Sequence, residues 1–502
     1  MLILLTSEQT GQADKFTIAA RKITSGELME SAACAFVAAF KGYYILRDIA
    51  ISVYCGTGNN GGDGLAIARL LKEQGYDNIS VKIARFNSTL SDDFRSNLKL
   101  LNLTGIPVTD ISANEDCPLE DAEILIDALL GSGLSRPLND DFEKLVRYLN
   151  SLHKTVVSVD VPTGLPSEGV MTKGATIMNA ALAISFQRPR INFYFPESGP
   201  FIKRFRFVDI GLDESFIQSQ TSGWKLLESD DVRSIIKPRE AFTHKATYGH
   251  ALIIAGSRET IGAALLCADA CLHSGAGLTT ACIPTEGLAP LNAASPEIMA
   301  LVRDEAKEVQ IDKLRFQAIA VGPGMGIGEA QVKLLRGIIN TISLPIVLDA
   351  DALTILSKHP DLINKLPSNA ILTPHVKEFD RLFGEHNNWW ERIEKARMVA
   401  ARHQIVIVLK NQYTFVVLPD NDVIINPTGN PAMATGGMGD VLTGIIVALL
   451  AQGYTARQAA LAGCYLHGKT GDVLKESCGM HSIPPRYLIR KLPEVIGSYS
   501  CD

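Results

Sequence analysis

The chain has 502 residues, more than a single hydrophobic core usually organises, so we expect at least two domains. Hydrophobic residues make up 46% and charged residues 20%, an ordinary balance for a soluble globular enzyme. The formal net charge of −6 argues against a nucleic-acid partner, which would require a basic face.

The N-terminal apolar run, residues 1–5, is too short for a signal peptide and lacks a basic flank. No stretch reaches the roughly 18 apolar residues of a membrane span. The nine cysteines include no Cys-x-x-Cys pair, and we interpret Cys267 and Cys271, one helical turn apart, as core residues. These features predict a cytoplasmic protein without a membrane partner, in a reducing compartment.

Residues 10–48 carry helical patterns, and short apolar runs then alternate with helix-like segments such as 65–74 and 142–149. The predicted strands are 49–53, 79–83, 123–126, 155–159 and 181–186. This alternation is typical of an α/β domain with a doubly wound, mostly parallel sheet.

A second α/β series begins near residue 249. Its predicted strands are 251–255, 278–283, 318–321, 345–348, 370–373 and 405–409. We place the boundary in residues 208–223, whose second part is polar, and predict domains at 1–215 and 225–502.

A glycine-rich turn, residues 56–64 (GTGNNGGDG), follows a predicted strand and opens a helix. Gly56, Gly58 and Gly61 satisfy the dinucleotide-binding pattern, in which a phosphate approaches the backbone at a helix N-terminus. A dehydrogenase would also place an acid at the end of its second strand, and residues 84–86 contain none. This argues against a plain NAD dehydrogenase and leaves a ligand-free turn as an alternative.

Two further motifs begin with acids at predicted strand ends, where doubly wound sheets bind ligands. Asp127 opens DALLGSGLSRP and Asp160 opens DVPTG. Helix capping explains either acid alone, but not both together with the asparagines of the turn. Oxygens of Asn60, Asp127 and Thr163 predict a hard-cation site, with Asp160 left free for acid–base work.

In this order, the three motifs resemble the NAD(P)H-hydrate epimerase domain, over roughly residues 1–215. The resemblance implies a Rossmann-like fold, a potassium ion on Asn60, Asp127 and Thr163, and a catalytic role for Asp160. Thr163 stands where most members have serine, and the hydroxyl is kept. The implied substrate-binding residues are Asn59, Asn60, Gly61, Gly62, Asp63, Gly131, Ser132, Gly133, Leu134, Ser135, Arg136, Pro137 and Asp160.

The second half contains a glycine-rich loop, residues 426–440, that runs into the apolar helix predicted at 441–450. Backbone N–H groups and the helix dipole at this start favour a phosphate. Asp440 is an acid at the same place, where it serves either as a general base or as a helix cap.

The second half resembles the NAD(P)H-hydrate dehydratase domain of the ribokinase-like superfamily, over roughly residues 230–495. The motifs that carry the resemblance are, in order, AGSxxxxGA, VGPGMG, LDADAL, TPHxxE and GNPAMATGGMGDVLTG. It implies hydrate binding by Ala263, Gly326, His375 and Asp440, with Asp440 catalytic. It implies binding of ADP, with magnesium, by Lys410, Asn411, Gln412, Tyr413, Thr414 and Gly439. Met438 departs from the usual Thr or Ala.

The implied chemistry is repair of hydrated NADH and NADPH. The first half would exchange the R and S epimers at C6, with Asp160 moving the proton. In the second half, Asp440 would deprotonate the C6 hydroxyl, which attacks the terminal phosphate of ADP; the ring nitrogen then expels phosphate. The substrates are small molecules, and we expect a homo-oligomer.

One segment, residues 463–470, matches the GxxxxGK[ST] phosphate-loop pattern but follows a helix-favouring run rather than a strand. Its amides would be used inside a helix, so we reject it as a phosphate loop. The main alternative function is a ribokinase-like small-molecule kinase fused to a non-catalytic nucleotide-binding module.

Overall fold

A computed structural model describes residues 1–87, 89–113, 116–133, 136–303, 315–341 and 343–500. Its internal contacts define two units. The N-terminal unit is Ile3–Ser222 with Asn388–Trp390, and the C-terminal unit is Met1–Leu2, Gly223–Asn387 and Glu391–Asp502. The predicted substrate positions Leu134 and Ser135 lie outside the described residues.

The first part of the chain alternates strands and helices. Its strands are β1 (Leu2–Ile3), β2 (Ile51–Cys55), β3 (Ile79–Ala84), β4 (Val108–Ile111), β5 (Ile124–Ala128), β6 (Thr155–Val159), β7 (Leu182–Phe186) and β8 (Phe205–Val208). Its helices are α1 (Ser7–Arg21), α2 (Ser25–Tyr43), α3 (Asn59–Glu73), α4 (Asp92–Leu101), α5 (Asp140–Ser151) and α6 (Glu214–Ser219).

Strands β2 to β8 form a parallel sheet in the order β4-β3-β2-β5-β6-β7-β8. Successive side chains of β2 face opposite sides: Val53 lies in one core cluster with α2 and α3, and Tyr54 in another with α5. Helices therefore cover both faces, and the strand order reverses between β2 and β5. Doubly wound sheets bind ligands at such a point.

The second part of the chain repeats this architecture. Its strands are β9 (Trp224–Leu226), β10 (His250–Ile254), β11 (Leu278–Pro284), β12 (Met299–Arg303), β13 (Ala318–Val321), β14 (Ile346–Leu348), β15 (Ile371–Leu372), β16 (Val406–Leu409), β17 (Thr414–Val417) and β18 (Val423–Asn426). Its helices are α7 (Ser229–Ile235), α8 (Ile261–His273), α9 (Leu288–Ala294), α10 (Glu329–Thr341), α11 (Asp351–Lys358), α12 (Val376–Phe383), α13 (Trp389–His403), α14 (Met438–Ala451), α15 (Ala456–Cys478) and α16 (Pro485–Tyr499).

The second sheet has the order β1-β9-β18-β17-β16-β15-β14-β13-β10-β11-β12. Strands β10 to β16 pair in parallel, whereas β16, β17 and β18 pair antiparallel. Helix α8 packs on α14 through small side chains, among them the fully buried Cys267 and Cys271. The α/β fold class predicted for both halves is confirmed, as is the core position of these two cysteines.

Several elements differ from the sequence prediction. Strands β4 and β8 were not predicted because polar residues interrupt their short sequences, VTDI and FRFV; β12 was missed although residues 299–302 form an apolar run. The polar stretch 213–223 contains α6, whose first turn is capped by Asp213 and whose Ile217 is buried. No single helix among the described residues is long and apolar enough to cross a membrane, although the bent pair α1 and α2 passes that test together.

Candidate active sites

The glycine turn after β2 is tight enough to require glycine at two positions. A Cβ on Gly61 would lie 1.9 Å from the carbonyl oxygen of Gly56. A Cβ on Gly56 would lie 2.0 Å from the carbonyl oxygen of Leu129, in the segment after β5. The turn therefore packs directly on the loop that follows β5, and Asn60 lies against Gly131.

The three predicted cation ligands lie in this neighbourhood. The Thr163 hydroxyl donates to Asp127 Oδ1 at 2.6 Å, and the Thr163 amide donates to Oδ2 at 2.9 Å. Asp127 lies within β5 rather than after it, and burial raises the pKa of its carboxyl despite these hydrogen bonds. The Asn60 side-chain amide nitrogen is buried without a hydrogen-bond partner. One carboxylate, one hydroxyl and one amide are a donor set that fits a hard monovalent cation.

Asp160 follows β6 with a left-handed backbone (φ 63°), and it is not left free as the sequence analysis expected. Its Oδ1 accepts hydrogen bonds from Arg190 Nη2 at 2.6 Å and from Ser185 Oγ at 3.1 Å. Arg190 is 2% exposed and also donates to Thr10 on α1 at 3.0 Å. Arg190 could not be identified from the sequence, because no motif contains it and 30 residues separate it from Asp160.

Two further carboxylates interact with Asp160. Burial raises the pKa of Asp63 well above its ordinary value, and the charges of Asp160 and Asp14 raise it further. Burial raises the pKa of Asp14 to about 6; Arg190 opposes this shift and Asp160 adds to it. Asp14 lies one turn from Thr10 on α1. Three carboxyl groups and the buried guanidinium of Arg190 therefore form one electrostatic cluster. In such a cluster, protonated and ionised carboxyl groups can lie side by side.

A cavity of about 440 Å³ lies beside the loop after β5. Ser132, Gly133, Arg136 and Pro137 of the predicted substrate set line it, whereas Asp160 and residues 59–63 do not. Ser7, at the start of α1, also lines this cavity, and its hydroxyl donates to the carbonyl of Ser132 at 3.0 Å. The predicted epimerase residues thus lie in two places: some line the cavity, whereas Asp160 and Asp63 belong to the buried acidic cluster.

In the C-terminal unit, the predicted nucleotide residues form the connection of a β-hairpin. Lys410 to Tyr413 join β16 to the antiparallel β17, which begins at Thr414. Lys410, Asn411, Gln412 and Thr414 line a cavity of about 360 Å³ together with Gly439. Tyr413 is not among its lining residues, and burial raises the pKa of its hydroxyl.

Asp440 lies in the first turn of α14, directly after the glycine loop. Burial raises the pKa of its carboxyl to about 7; the charges of Asp349 and Asp351 add to the shift, and Lys410 opposes it. A carboxyl with this pKa exchanges its proton near neutral pH, as a general base at a phosphoryl-transfer site requires.

The other predicted hydrate residues lie at the same edge of the sheet. His375 is the N-cap residue of α12 and forms a parallel bridge with Lys410. Gly326 follows β13 and donates its amide to Asp351 at 2.9 Å. Ala263 lies in the first turn of α8, one turn before Cys267, whose thiol pKa the Asp440 charge raises in addition to burial.

The rejected phosphate-loop match lies inside the long helix α15, which confirms that its amides are used in the helix. Three of its residues nevertheless line the 360 Å³ cavity: Cys464, His467 and Gly468. This contribution could not be predicted from the sequence, because only tertiary packing decides which residues a helix face contacts.

Two doubly wound α/β units, each with acidic and amide side chains at the carboxyl ends of its strands, define a two-domain α/β enzyme. The sequence profile of the NAD(P)H-hydrate dehydratase family matches residues 251–494, and that of the YjeF-related protein N-terminus matches residues 25–191.

Similar proteins match both halves together. The bifunctional NAD(P)H-hydrate repair enzyme of Moorella thermoacetica is 32% identical over 514 residues, covering 99% of this chain and 97% of that relative. The enzyme of the same name from Escherichia coli is 33% identical over 456 residues, covering 90% of this chain and 85% of that relative. The chain therefore belongs to the family of bifunctional NAD(P)H-hydrate repair enzymes.

A solved structure resembles the C-terminal unit. ADP/ATP-dependent NAD(P)H-hydrate dehydratase from Bacillus subtilis, co-crystallized with ATP/Mg2+, is 32% identical with a TM-score of 0.50. The match covers 55% of this chain and 98% of that one.

Proposed function

We propose that this protein repairs hydrated NADH and NADPH in two steps. Residues 1–215 exchange the R and S epimers at C6, and residues 225–502 dehydrate the S epimer with ADP, releasing AMP and phosphate. The observation that carries this proposal is the 32% identity to a bifunctional repair enzyme over 99% of the chain.

The dehydration follows from the position of Asp440. Its carboxylate removes the proton of the C6 hydroxyl, and the hydroxyl oxygen forms a bond to the terminal phosphorus of ADP as the bond to AMP breaks. The ring nitrogen lone pair then expels phosphate from C6, and loss of the C5 proton restores the reduced nicotinamide. Amides of the glycine loop and the Lys410 ammonium offset the negative charge that develops on phosphate. Magnesium accompanies the nucleotide.

The epimerisation uses the group around Asp160. Loss of the C6 hydroxyl needs a proton donor, and return of water from the other face needs a proton acceptor. Asp160, held by Arg190, shuttles the proton: its carboxyl gives a proton to the departing hydroxyl, and the resulting carboxylate takes one back from the water that adds. Ser132, Gly133, Arg136 and Pro137 line the cavity proposed for substrate. Asn60, Asp127 and Thr163 would hold the potassium ion, which supplies a fixed positive charge.

The test of the proposed function is incubation of mixed hydrate epimers with ADP and magnesium, following reduced nicotinamide, AMP and phosphate. Complete recovery of NADH and NADPH with equimolar AMP is expected. A stable phosphorylated hydrate would instead identify a kinase. Potassium binding is tested separately, by thallium NMR of the wild type and of Asp127→Asn, because only the wild type should shift the thallium resonance.

The intact chain is further proposed to be a cytoplasmic homo-oligomer. Light scattering coupled to gel filtration measures the oligomeric state directly, and a monomeric mass at micromolar concentration would refute that part of the proposal.

A further inference from the structure

A buried carboxylate lies beneath the glycine loop of the C-terminal unit. Asp349 directly follows β14 and is 2% exposed. Its Oδ1 accepts a hydrogen bond from Lys410 Nζ at 2.8 Å, and its Oδ2 accepts one from Thr443 Oγ1 at 2.8 Å. The two donors belong to different elements, the β16–β17 hairpin and helix α14, so this one carboxylate ties both to the end of β14.

The ion pair lies directly against the backbone of the loop. A Cβ on Gly439 would be 3.4 Å from Lys410 Nζ and 3.6 Å from Asp349 Oδ2. A lysine side chain otherwise samples many rotamers, and fixing it costs conformational entropy. Asp349 therefore holds the ammonium in one place before a nucleotide arrives, at the point where the anion would meet the loop amides.

We propose that Asp349 is a positioning residue of the dehydratase site: it fixes the Lys410 ammonium beside Gly439 and sets the electrostatic surroundings of Asp440. The proposal rests on the proposed function, since ADP is the anion that Lys410 would meet. Asp349 itself does not line the 360 Å³ cavity, so it acts through Lys410 and α14 rather than by touching the nucleotide.

The charges around Asp440 predict in which direction its pKa should shift when Asp349 or Lys410 is replaced. Asp349 and Asp351 raise the pKa of the Asp440 carboxyl, and Lys410 lowers it. Cys267 faces it from α8 as a thiol whose own pKa is raised, so it carries no charge near neutral pH. Removal of the Asp349 charge should therefore lower the pKa of Asp440, and removal of the Lys410 charge should raise it.

The test is the pH profile of kcat/KM for the S hydrate at saturating ADP, together with KM for ADP. In Asp349→Asn, KM for ADP is expected to rise about tenfold, because the ammonium is no longer fixed. The acid limb of the profile should move to lower pH by about one unit. Lys410→Met should move the limb to higher pH, a shift of opposite sign that tests the electrostatics even if Asp349→Asn does not fold.

Thr443→Val is the matched control, since it removes the hydrogen bond from Thr443 to Asp349 and keeps the charges of Asp349 and Lys410. The acid limb of the pH profile of this variant should stay in place. If Asp349→Asn raises KM for ADP but leaves the limb unmoved, Asp349 is only structural and the proposal is overturned. If the wild type releases no AMP and phosphate from ADP and the S hydrate, the proposed function fails instead.

Discussion

Asp440 combines burial with a place in the first turn of a helix, where a phosphate would also bind. Because burial raises its pKa to about 7, the carboxyl is largely protonated in mild acid and ionised above neutrality. A general base acts in its ionised form, so the dehydration rate should rise with pH through this range and level off above it. A pH–rate profile of the wild type measures this directly, and a rate independent of pH between about 5 and 8 would contradict it.

Asp440→Asn removes the proposed base while keeping the size and polarity of the side chain. We expect dehydration of the S epimer to fall roughly 10²–10⁴-fold, with epimer exchange unchanged because Asp160 lies in the other unit. Both rates are measured on one preparation, with circular dichroism to show that the variant is folded. Near-normal dehydration by a folded variant would refute the role of Asp440.

Asp14 lowers the stability of the folded chain at neutral pH, because its pKa is raised from 3.8 to about 6. The folded state then holds this proton more tightly than the unfolded state. Its contribution to stability is therefore fully present below pH 3.8 and is lost as pH rises through about 6. The loss is about 3 kcal/mol.

Asp14→Asn should remove this penalty, since the amide is neutral in both states. The variant should unfold in urea at a higher concentration than the wild type at about pH 8, and the gain should shrink on going below about pH 4. Urea titrations at several pH values, following the transition of the N-terminal unit, measure the difference. A gain that does not depend on pH would show that proton binding at Asp14 is not its cause.

Among the elements of the C-terminal unit, helix α15 forms one wall of the 360 Å³ cavity, the proposed nucleotide site, and makes a close backbone contact there. A Cβ on Gly468 would lie 2.4 Å from Thr428 Oγ1 and 2.6 Å from the Thr428 carbonyl. Gly468→Ala must therefore push the loop after β18 away from the helix, with a higher KM for ADP and a loss of about 1–3 kcal/mol of stability.

Gly337→Ala in α10 is the matched control, because nothing lies within 4 Å of the added Cβ. That substitution should stabilise its helix by about 0.5–1 kcal/mol and leave KM for ADP unchanged. Equal effects of the two substitutions on stability and KM would show that the contact with Thr428 is unimportant.

Apolar runs predicted the central strands well because such strands are buried on both faces; β6 and β13 have the predicted bounds. The edge strands β4 and β8 carried no comparable signal, whereas the apolar run of the edge strand β12 was overlooked. Strands β17 and β18 could have been predicted, since both are buried apolar runs on either side of a turn. Their omission hid the fact that Lys410 lies at the tip of a hairpin.

The sequence placed Asp127 and Asp160 near strand ends and Asp440 at the start of a helix after a glycine loop, where the structure has them. The side chains that distant elements bring to these acids could not be predicted from the sequence. Arg190 reaches Asp160 across the end of the sheet, and Thr443 reaches Asp349 from a helix 94 positions further along the chain. Sequence spacing contains no information on such pairs, because packing between distant elements brings them together.

In the whole molecule, each proposed activity belongs to one of the two units, so a substitution in one unit should leave the activity of the other unit intact. In the proposed mechanism the dehydratase base faces one side of C6, and misplacement of a reacting hydroxyl by about 1 Å already costs roughly 10²-fold. The R epimer therefore depends on the N-terminal unit. With Asp160→Ala, the S fraction of a mixed hydrate should disappear quickly with ADP, while the R fraction persists until slow spontaneous epimerisation converts it.

Chromatography of the two epimers over time measures this, and Asp160→Asn, nearly the same size as aspartate, covers the case in which the alanine variant does not fold. Mixing Asp160→Ala with Asp440→Asn should restore complete conversion, because each variant keeps one intact unit and the hydrates diffuse freely between molecules. Rapid conversion of both epimers by Asp160→Ala alone would show that Asp160 is not needed for epimerisation. Failure of the mixture, with both variants folded, would show that the two activities cannot be supplied by separate molecules.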